Sequence, residues 1–179
     1  MSKIAVVYKS KYGSSKKYAE WIADELKAEL FEHSKIKKDD LLKYDTIIYG
    51  GGLYAGSISG ISLITKNFDK LKDKNLIVFT VGTAQTDNTE VFKPIIEKNC
   101  SEEVRRAVKF FHFRGSMDYK NMTLTHKMMM KMLKLVLEKK KEEGLSKEDK
   151  LFLETFGQKV DFIDKAYISP LIEYVNALS

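Results

Sequence analysis

The stretch IAVVYKSKYGSS, residues 4–15, decides the fold at the start of the chain. Its apolar run at 4–8 is short, rich in β-branched residues and bounded by polar positions, which is typical of a buried strand. Beyond a loop at 9–13, apolar residues recur at spacings of three to four, which predicts a helix that begins near Ser14. These residues are Tyr18, Trp21, Ile22, Leu26 and Leu30. The chain is therefore predicted to open with a β-α unit.

Further apolar runs extend this alternation of strand and helix. They predict a weak strand at 31–36 and buried strands at 46–49, 76–81 and 107–113. Helices are predicted around 63–71 and at 91–96, the second interrupted early by Pro94. Repeated strands and helices predict a parallel sheet covered on both faces and joined by right-handed crossovers. We expect an α/β fold with a doubly wound, five-stranded parallel sheet.

The last third of the chain departs from this rhythm and predicts a C-terminal helical addition. Residues 123–141 are strongly helical in character, and Ser146 and Asp149 have the spacing of a capping box before a second helix. We expect these two helices to close the core. Because no linker, repeat or second composition zone is visible, residues 1–179 are predicted to form a single domain.

The overall composition is that of a globular chain of 179 residues. Hydrophobic residues make up 44% and charged residues 31%, which argues against a disordered or fibrous protein. A single cysteine, Cys100, excludes an internal disulfide and a cysteine-based zinc or iron-sulfur site. With no long apolar span and no signal-peptide pattern at the start, we expect a cytoplasmic location. The net charge of +6 favours anionic partners without naming one.

The serine turn, residues 10–15, is the first candidate site. It combines three serine hydroxyls with the backbone N–H groups at the start of the first helix, a pattern typical of anion binding. The alternative is that Ser14 only caps the helix. Gly13 is the only glycine in this turn, so the dinucleotide fingerprint G-x-G-x-x-G is absent, as is the P-loop motif.

Two more loops follow predicted strands. The glycine segment, residues 50–60, holds five of the ten glycines, and the third loop spans residues 82–88. Because loops beyond the carboxyl ends of neighbouring strands meet at the switch point of a doubly wound sheet, we expect a ligand site there. Glycines let backbone approach a flat ligand closely, and the alternative is a merely flexible surface loop.

These loops resemble those of the flavodoxin family, for which FMN is the ligand at the switch point. The resemblance is carried by Ser10, Tyr12, Gly13, Ser14 and Ser15, by Leu53-Tyr54-Ala55-Gly56, and by Gly82-Thr83-Ala84-Gln85. Within that family, the chain is similar to flavodoxin-domain proteins related to menaquinone-dependent protoporphyrinogen oxidase. This similarity is carried by Phe113-Arg114-Gly115 and Asp118-Tyr119 before a Met-rich helix. The resemblance implies the strand order 2-1-3-4-5.

The resemblance also implies which residues bind the cofactor FMN. The phosphate would contact the serine turn, and the ring would lie between the glycine segment and the third loop. The residues implied are Ser10, Lys11, Tyr12, Gly13, Ser14, Ser15, Gly51, Gly52, Leu53, Tyr54, Ala55, Gly56, Gly82, Thr83, Ala84 and Gln85. Family members turn a glycine-loop peptide toward the reduced ring, which implies such a turn at Gly51, Gly52 or Gly56. Because the third loop lacks an aromatic residue, we expect one face of the ring to be more open.

The implied function is that of an FMN-binding redox protein that transfers electrons through a non-covalent flavin. Two roles compete. A carrier would pass electrons to a partner protein, whereas an enzyme would act on a small molecule such as a porphyrinogen or quinone. An enzyme needs a pocket over the flavin, and residues 118–132 are the candidate wall. A flavin-free scaffold of the same fold is the third alternative.

The Met-rich helix is the remaining unusual feature, since six of the seven methionines lie between Met117 and Met132. Lys127, Lys131 and Lys134 form one stripe on it. The methionines would fill a gap against the sheet or a dimer interface, or residues 128–137 would make a peripheral contact with an anionic membrane or an apolar redox partner. His33, His112 and His126 are too dispersed for a metal site. The lysine-rich segments lack interleaved aromatics, so nucleic-acid binding is not expected.

Overall fold

A parallel sheet forms the centre of the molecule, which a computed structural model describes over residues 3–178. The strands are β1 (Ile4–Lys9), β2 (Glu29–Glu32), β3 (Thr46–Tyr54), β4 (Ser57–Ile58), β5 (Asn75–Gly82), β6 (Val108–Arg114), β7 (Ser116–Asp118) and β8 (Lys159–Asp161). Five of them pair in parallel in the order β2-β1-β3-β5-β6, which confirms the predicted order. Strand β4 pairs antiparallel with the end of β3, and β7 and β8 form a separate two-stranded sheet.

Helices cover both faces of this sheet. They are α1 (Ser14–Leu26), α2 (Ser62–Thr65), α3 (Phe68–Leu71), α4 (Thr89–Asn99), α5 (Glu102–Ala107), α6 (Leu124–Glu138), α7 (Lys147–Thr155) and α8 (Ser169–Asn176). None of the helices within residues 3–178 has the length and hydrophobicity to cross a membrane.

The core is divided by the sheet into two clusters because successive strand residues point to opposite faces. On β1, Ala5 and Val7 pack into one cluster, whereas Val6 packs into the other. Ile48 of β3 and Ile77 of β5 lie beside Val6 in the second cluster. This burial on both faces explains why the strands are continuous apolar runs.

The first helix ends earlier than its apolar pattern predicts. It stops at Leu26, where Lys27 adopts a left-handed backbone with φ 51° and its N–H donates to the carbonyls of Ala23 and Asp24. The turn sends the chain directly into β2, so Leu30 lies in a strand that pairs with β1. Strand β2 begins two residues before the predicted range of 31–36 and overlaps it only at 31 and 32. The placement of Leu30 on the helix was wrong because a left-handed cap breaks the 3.6-residue period.

Two helix predictions between the later strands also differ from the structure. The helix predicted around 63–71 is two short helices, α2 and α3. Helix α4 runs through Pro94 without interruption, with Asn88 capping its first turn through a hydrogen bond from the N–H of Val91. Pro94 lies on the exposed face, where solvent can satisfy the carbonyl that its missing N–H leaves free.

The C-terminal region closes the core with a helix that the sequence pattern did not predict. In α6 only Leu137 is buried, and α7 has no buried residue. Instead, Leu171 and Val175 of α8 pack into the second core cluster. The capping box of α7 is confirmed: the N–H of Asp149 donates to Ser146 Oγ at 3.0 Å, and the N–H of Ser146 donates to Asp149 Oδ2 at 3.1 Å.

Candidate functional site

A cleft of about 260 Å³ opens at the carboxyl ends of β1, β3 and β5. All three predicted segments reach it. The predicted site residues that line it are Ser10, Tyr12, Ser14, Ser15, Gly52, Leu53, Tyr54, Ala55, Gly82 and Thr83. The sheet therefore brings together residues more than 70 positions apart in the sequence, as expected for a switch point.

The other predicted site residues lie next to this cleft without lining it. Lys11 is exposed beside the Tyr12 ring, and Gly13 forms the start of α1. Gly51 is inside β3, and Gly56 is in the turn that follows it. In the third loop, Ala84 faces a separate cavity of about 50 Å³ and Gln85 is exposed.

The serine turn leaves the first turn of α1 open to a ligand. Gly13 precedes the helix with φ +97°, a conformation that glycine adopts readily, and no side chain of the described residues caps this end. The first turn contains no acidic residue, so the partial positive charge of the helix end is not neutralised from within the helix. Ser10 Oγ accepts a hydrogen bond from the N–H of Gly13 at 3.1 Å, which holds the turn in shape.

The alternative that Ser14 only caps the helix does not fit this geometry. Ser14 is the first helical residue, and its Oγ accepts from the N–H of Ser116 at 3.1 Å and lies 3.0 Å from Ser116 Oγ. Its hydroxyl therefore joins α1 to β7 across the cleft. Ser15 is almost fully buried beneath the same turn.

The glycine segment is a strand and a hairpin, not a loop. Strand β3 continues through Gly50, Gly51 and Gly52 to Tyr54, with Gly51 paired to Lys9 on one side and Thr80 on the other. Ala55 and Gly56, with φ values of 50° and 72°, then form a two-residue turn into β4. Positive φ at both central positions is the geometry of a type I′ hairpin. A peptide turn at Gly51 or Gly52 was therefore a wrong expectation, since both are held in the sheet.

Asn99 of α4 holds the hairpin in place. Its Nδ2 donates to the carbonyl of Gly56 at 2.9 Å, and its Oδ1 accepts from the N–H of Ile58 at 3.1 Å. These two bonds mimic one more strand at the outer edge of the hairpin. The glycine segment is thus anchored, which argues against the alternative of a flexible surface loop.

An aromatic cluster of Tyr12, Tyr54 and His126 occupies one side of the cleft. Tyr54 stacks on His126 with ring centroids 5.0 Å apart and 22° between the planes, and Tyr12 meets Tyr54 edge to face at 6.1 Å. Tyr12 Oη lies 2.7 Å from His126 Nδ1 and also accepts from the N–H of Thr123 at 3.4 Å. When the Tyr12 hydroxyl donates to Nδ1, the ring proton of the neutral His126 is on Nε2.

The electrostatics of this cluster favour neutral groups. Partial burial and the positive charge of Lys11 lower the pKa of His126 below its usual value. Burial, followed by the nearby Tyr12, raises the pKa of Tyr54. The cluster therefore presents a neutral imidazole and the protonated phenol of Tyr54 to the cleft near pH 7.

Helix α6 forms a wall over the cleft and contributes residues beyond the predicted FMN contacts. Together with the loop before it and with α7, it adds His126 and an apolar lining made of Met122, Met129, Met130, Leu133 and Phe152. Four of these six residues lie within the predicted wall at 118–132, and Leu133 and Phe152 lie outside it. The methionine content was the signal for Met129 and Met130. The spacing of the histidines argues against a metal site and gives no sign of the Tyr12 contact, because Tyr12 lies 114 residues from His126.

The third loop is supported from below by β6. Arg114 Nε donates to the carbonyl of Thr83 at 3.1 Å, and its guanidinium lies 3.8 Å from the centre of the Phe162 ring. His112 Nδ1 lies 2.8 Å from Thr80 Oγ1, and burial lowers the pKa of His112 to about 3, so it stays neutral. The three histidines lie in separate places, and residues 3–178 contain no group of three or more His, Cys, Asp or Glu that could hold a metal.

A close approach of backbone to α1 occurs at Gly115. A Cβ there would lie 2.7 Å from Val81 Cγ1 and 3.3 Å from Ser14 Oγ. Only a glycine lets the backbone that leaves β6 pass this close to both Val81 of β5 and Ser14 of α1. Gly115 and Ser116 line the cleft and were missing from the predicted site.

Comparisons with known proteins agree with this architecture. The family model "Flavodoxin domain" matches residues 5–143. An uncharacterized protein of Methanocaldococcus jannaschii is 35% identical over 83 residues, which cover 46% of this chain and 54% of that protein. The chain thus spans about half the length of the curated relative that it matches.

Three solved structures similar to this chain come from bacteria. A flavodoxin, WrbA-like protein from Agrobacterium tumefaciens is 19% identical with a TM-score of 0.43, covering 70% of this chain and 88% of that one. Oxidised Flavodoxin 2 from Bacillus cereus is 21% identical with a TM-score of 0.43, covering 63% and 84%. A flavoprotein in complex with FMN from Lactobacillus acidophilus is 19% identical with a TM-score of 0.40, covering 64% and 93%. The family match extends over most of the chain, from β1 to the end of α6, and the chain belongs to the flavodoxin domain family.

Proposed function

We propose that this chain binds FMN in the cleft and functions as a redox protein. The observation that carries the proposal is the convergence of the uncapped, serine-lined start of α1 with the Tyr54 hairpin and the third loop around one cleft. An anionic group fits the start of α1, and a flat ring system fits the Tyr54 hairpin and the third loop. A nucleotide that has both parts is the ligand that this arrangement suits best.

The residues present fit such a ligand at both ends. The N–H groups of the first turn of α1, with Ser10 and Ser15, would hold the phosphate. The aromatic ring of Tyr54 and the backbone of Gly52 and Thr83 would border the ring system. When bound, FMN supplies reversible one- or two-electron chemistry. The protein's part is to orient the ring, exclude water and control access.

This proposal predicts that FMN stabilises the purified protein. At a concentration of FMN one thousand times its dissociation constant, the stabilisation is about 4 kcal/mol. For a chain of this size, that corresponds to a rise in the melting temperature of roughly 8–16 °C. The measurement is a thermal melt with and without FMN, with inorganic phosphate and NAD as control ligands. A colourless protein whose melting temperature ignores FMN would identify the flavin-free scaffold instead.

A second, more specific function is supported by the wall over the cleft. A carrier needs only an exposed flavin edge, whereas α6 and Phe152 enclose the space beside the proposed ring with apolar side chains. We propose that this space accepts a small, flat, largely apolar molecule that exchanges electrons with the cofactor. Porphyrinogens and quinones are the two classes to test. The neutral His126 and its partner Tyr12 are placed to hold a proton at the same wall.

Two neighbouring methionines of α6 allow a matched test of this role. Met130 lines the cleft, whereas Met128 points to solvent on the same helix. We expect Met130→Gln to lower kcat/KM for a quinone or porphyrinogen about tenfold, since burying an amide against the substrate loses the apolar contact. Met128→Gln is expected to leave kcat/KM unchanged. The reoxidation of FMN-loaded, dithionite-reduced protein by ferricyanide should be equal in both variants. An absence of turnover with both substrate classes in the wild type would leave only the carrier role.

A further inference from the structure

The outward face of α6 is apolar and exposed. Its side chains at Leu124, Met128, Met132, Leu135 and Val136 are each at least 58% exposed. They recur at spacings of three to four and so lie on one side of the helix. The cleft-lining residues His126, Met130 and Leu133 lie on the other side. A helix of 15 residues is about 22 Å long, so this outward face is a strip that soluble surfaces rarely leave uncovered.

Positive charge is concentrated in the same segment. Residues 120–141 contain seven of the 31 basic residues and only one of the 25 acidic residues, Glu138. The remainder of the chain therefore holds 24 of each, and the net charge of +6 resides entirely in this segment. Lys131, Lys139 and Lys141 are exposed and have no carboxylate within 4.0 Å among residues 3–178.

We propose that the outward face of α6 binds the surface of an anionic lipid bilayer, with the helix axis parallel to the membrane. An apolar strip flanked by lysines is the composition of an interfacial helix, in which apolar side chains enter the acyl region and lysines reach the headgroups. The stripe of Lys127, Lys131 and Lys134 adjoins the apolar strip at Leu124 and Leu135.

Charge also decides between a bilayer and a second copy of this chain. A symmetric dimer through this face would bring two copies of the same lysine-rich segment together, and their like charges would repel. An anionic bilayer attracts those lysines instead, and each lysine near such a surface favours binding. The bilayer also needs no complementary groove, because the apolar side chains project from a single convex helix. The proposal does not depend on flavin binding, which concerns the opposite face of α6.

Vesicle sedimentation tests the proposal with the full chain. We expect the wild type to pellet with vesicles of phosphatidylcholine and phosphatidylglycerol at 3:1 and to remain in solution with phosphatidylcholine alone. Raising NaCl from about 0.1 M to 0.5 M should release most of it, since the Debye length shortens well below 10 Å. Two variants should each weaken binding at least tenfold: K131Q/K139Q/K141Q, and M128Q/M132Q/L135Q. All six side chains are exposed, so both variants are expected to keep the melting temperature of the wild type.

A matched variant controls for net charge. K35Q/K37Q/K38Q removes three exposed lysines from another part of the surface and is expected to bind vesicles like the wild type. Equal recovery of the wild type in the supernatant with both lipid mixtures would overturn the proposal. The proposal would also be overturned if K35Q/K37Q/K38Q lost as much vesicle binding as K131Q/K139Q/K141Q. Binding to polyglutamate without binding to vesicles would identify an acidic macromolecule as the partner, and a stable dimer in light scattering that M132Q dissociates would identify a second copy.

Discussion

Ser10→Asp is expected to weaken FMN binding at least 100-fold while changing riboflavin binding by less than about threefold. Ser10 lines the cleft in the serine turn, where its Oγ accepts from the N–H of Gly13. Aspartate can accept the same bond, and a carboxylate near the start of α1 favours the helix, so the fold is retained. The new charge would repel a bound phosphate. At about 4 Å and an effective dielectric constant near 20, each pair of unit charges costs about 4 kcal/mol, enough for the expected loss.

The comparison with riboflavin makes this experiment specific. Riboflavin has the same ring and lacks the phosphate, so its affinity reports on the hairpin and the third loop alone. Ser10→Asn adds similar bulk without charge and is expected to change the FMN affinity less than tenfold. Fluorescence titration of each flavin measures both constants. If Ser10→Asp lowers the affinity for FMN and for riboflavin equally, or lowers neither affinity, the phosphate does not lie at the serine turn.

The strands were predictable because their side chains are apolar on both faces. The run at 76–81 became β5, and the run at 4–8 became β1 with one added residue. Burial on both sides of a parallel sheet produces such runs, and the order of the strands follows from the family resemblance. Helix α8 was missed, although Pro170 in its first turn precedes Leu171 and Val175 at helical spacing. Its eight residues form too short a pattern to be distinguished from a loop.

The contacts of His126 could not be predicted from the sequence. The histidine is separated from Tyr12 by 114 positions and from Tyr54 by 72, and each contact exists only because α6 folds back over the cleft. A helical pattern predicts which side chains share a face and does not predict which loop that face will cover. The methionines indicated an apolar surface on α6, and the structure divides it into an inner wall and an exposed strip.

The glycine segment was assigned to a loop because glycine carries no hydrophobic signal. In the structure, Gly50 and Gly51 pair with β1 on one side and β5 on the other, and Gly52 pairs with β5. Ladder hydrogen bonds need only the backbone, so a strand continues through residues that have no strand preference when its neighbours are in place. Glycine is required at these three positions because neighbouring atoms already occupy the space that a Cβ would need. Of the five glycines in this segment, only Gly56 and Gly60 have positive φ.

Gly50→Ala is therefore expected to destabilise the fold by about 3 kcal/mol. A Cβ at this position would overlap the ring of Phe79, which is fully buried and packs against Phe113 at 5.2 Å between ring centroids. Because the ring has no solvent-filled space to move into, the strand or the core must shift, and overpacking of a core costs about 1–3 kcal/mol or more. For a chain of this size, the melting temperature should fall by roughly 6–12 °C.

Gly144→Ala is the matched control, since a Cβ there meets no atom within 4 Å and the backbone φ is not positive. It is expected to change the stability by less than about 0.5 kcal/mol, as is usual for a surface substitution. Urea unfolding of both variants separates a loss of core packing from a general effect of removing glycine. If Gly50 instead belonged to a flexible loop, alanine would reduce the entropy of the unfolded chain and stabilise the protein slightly. An equal or raised urea midpoint for Gly50→Ala would thus contradict the placement of Gly50 inside β3, against Phe79.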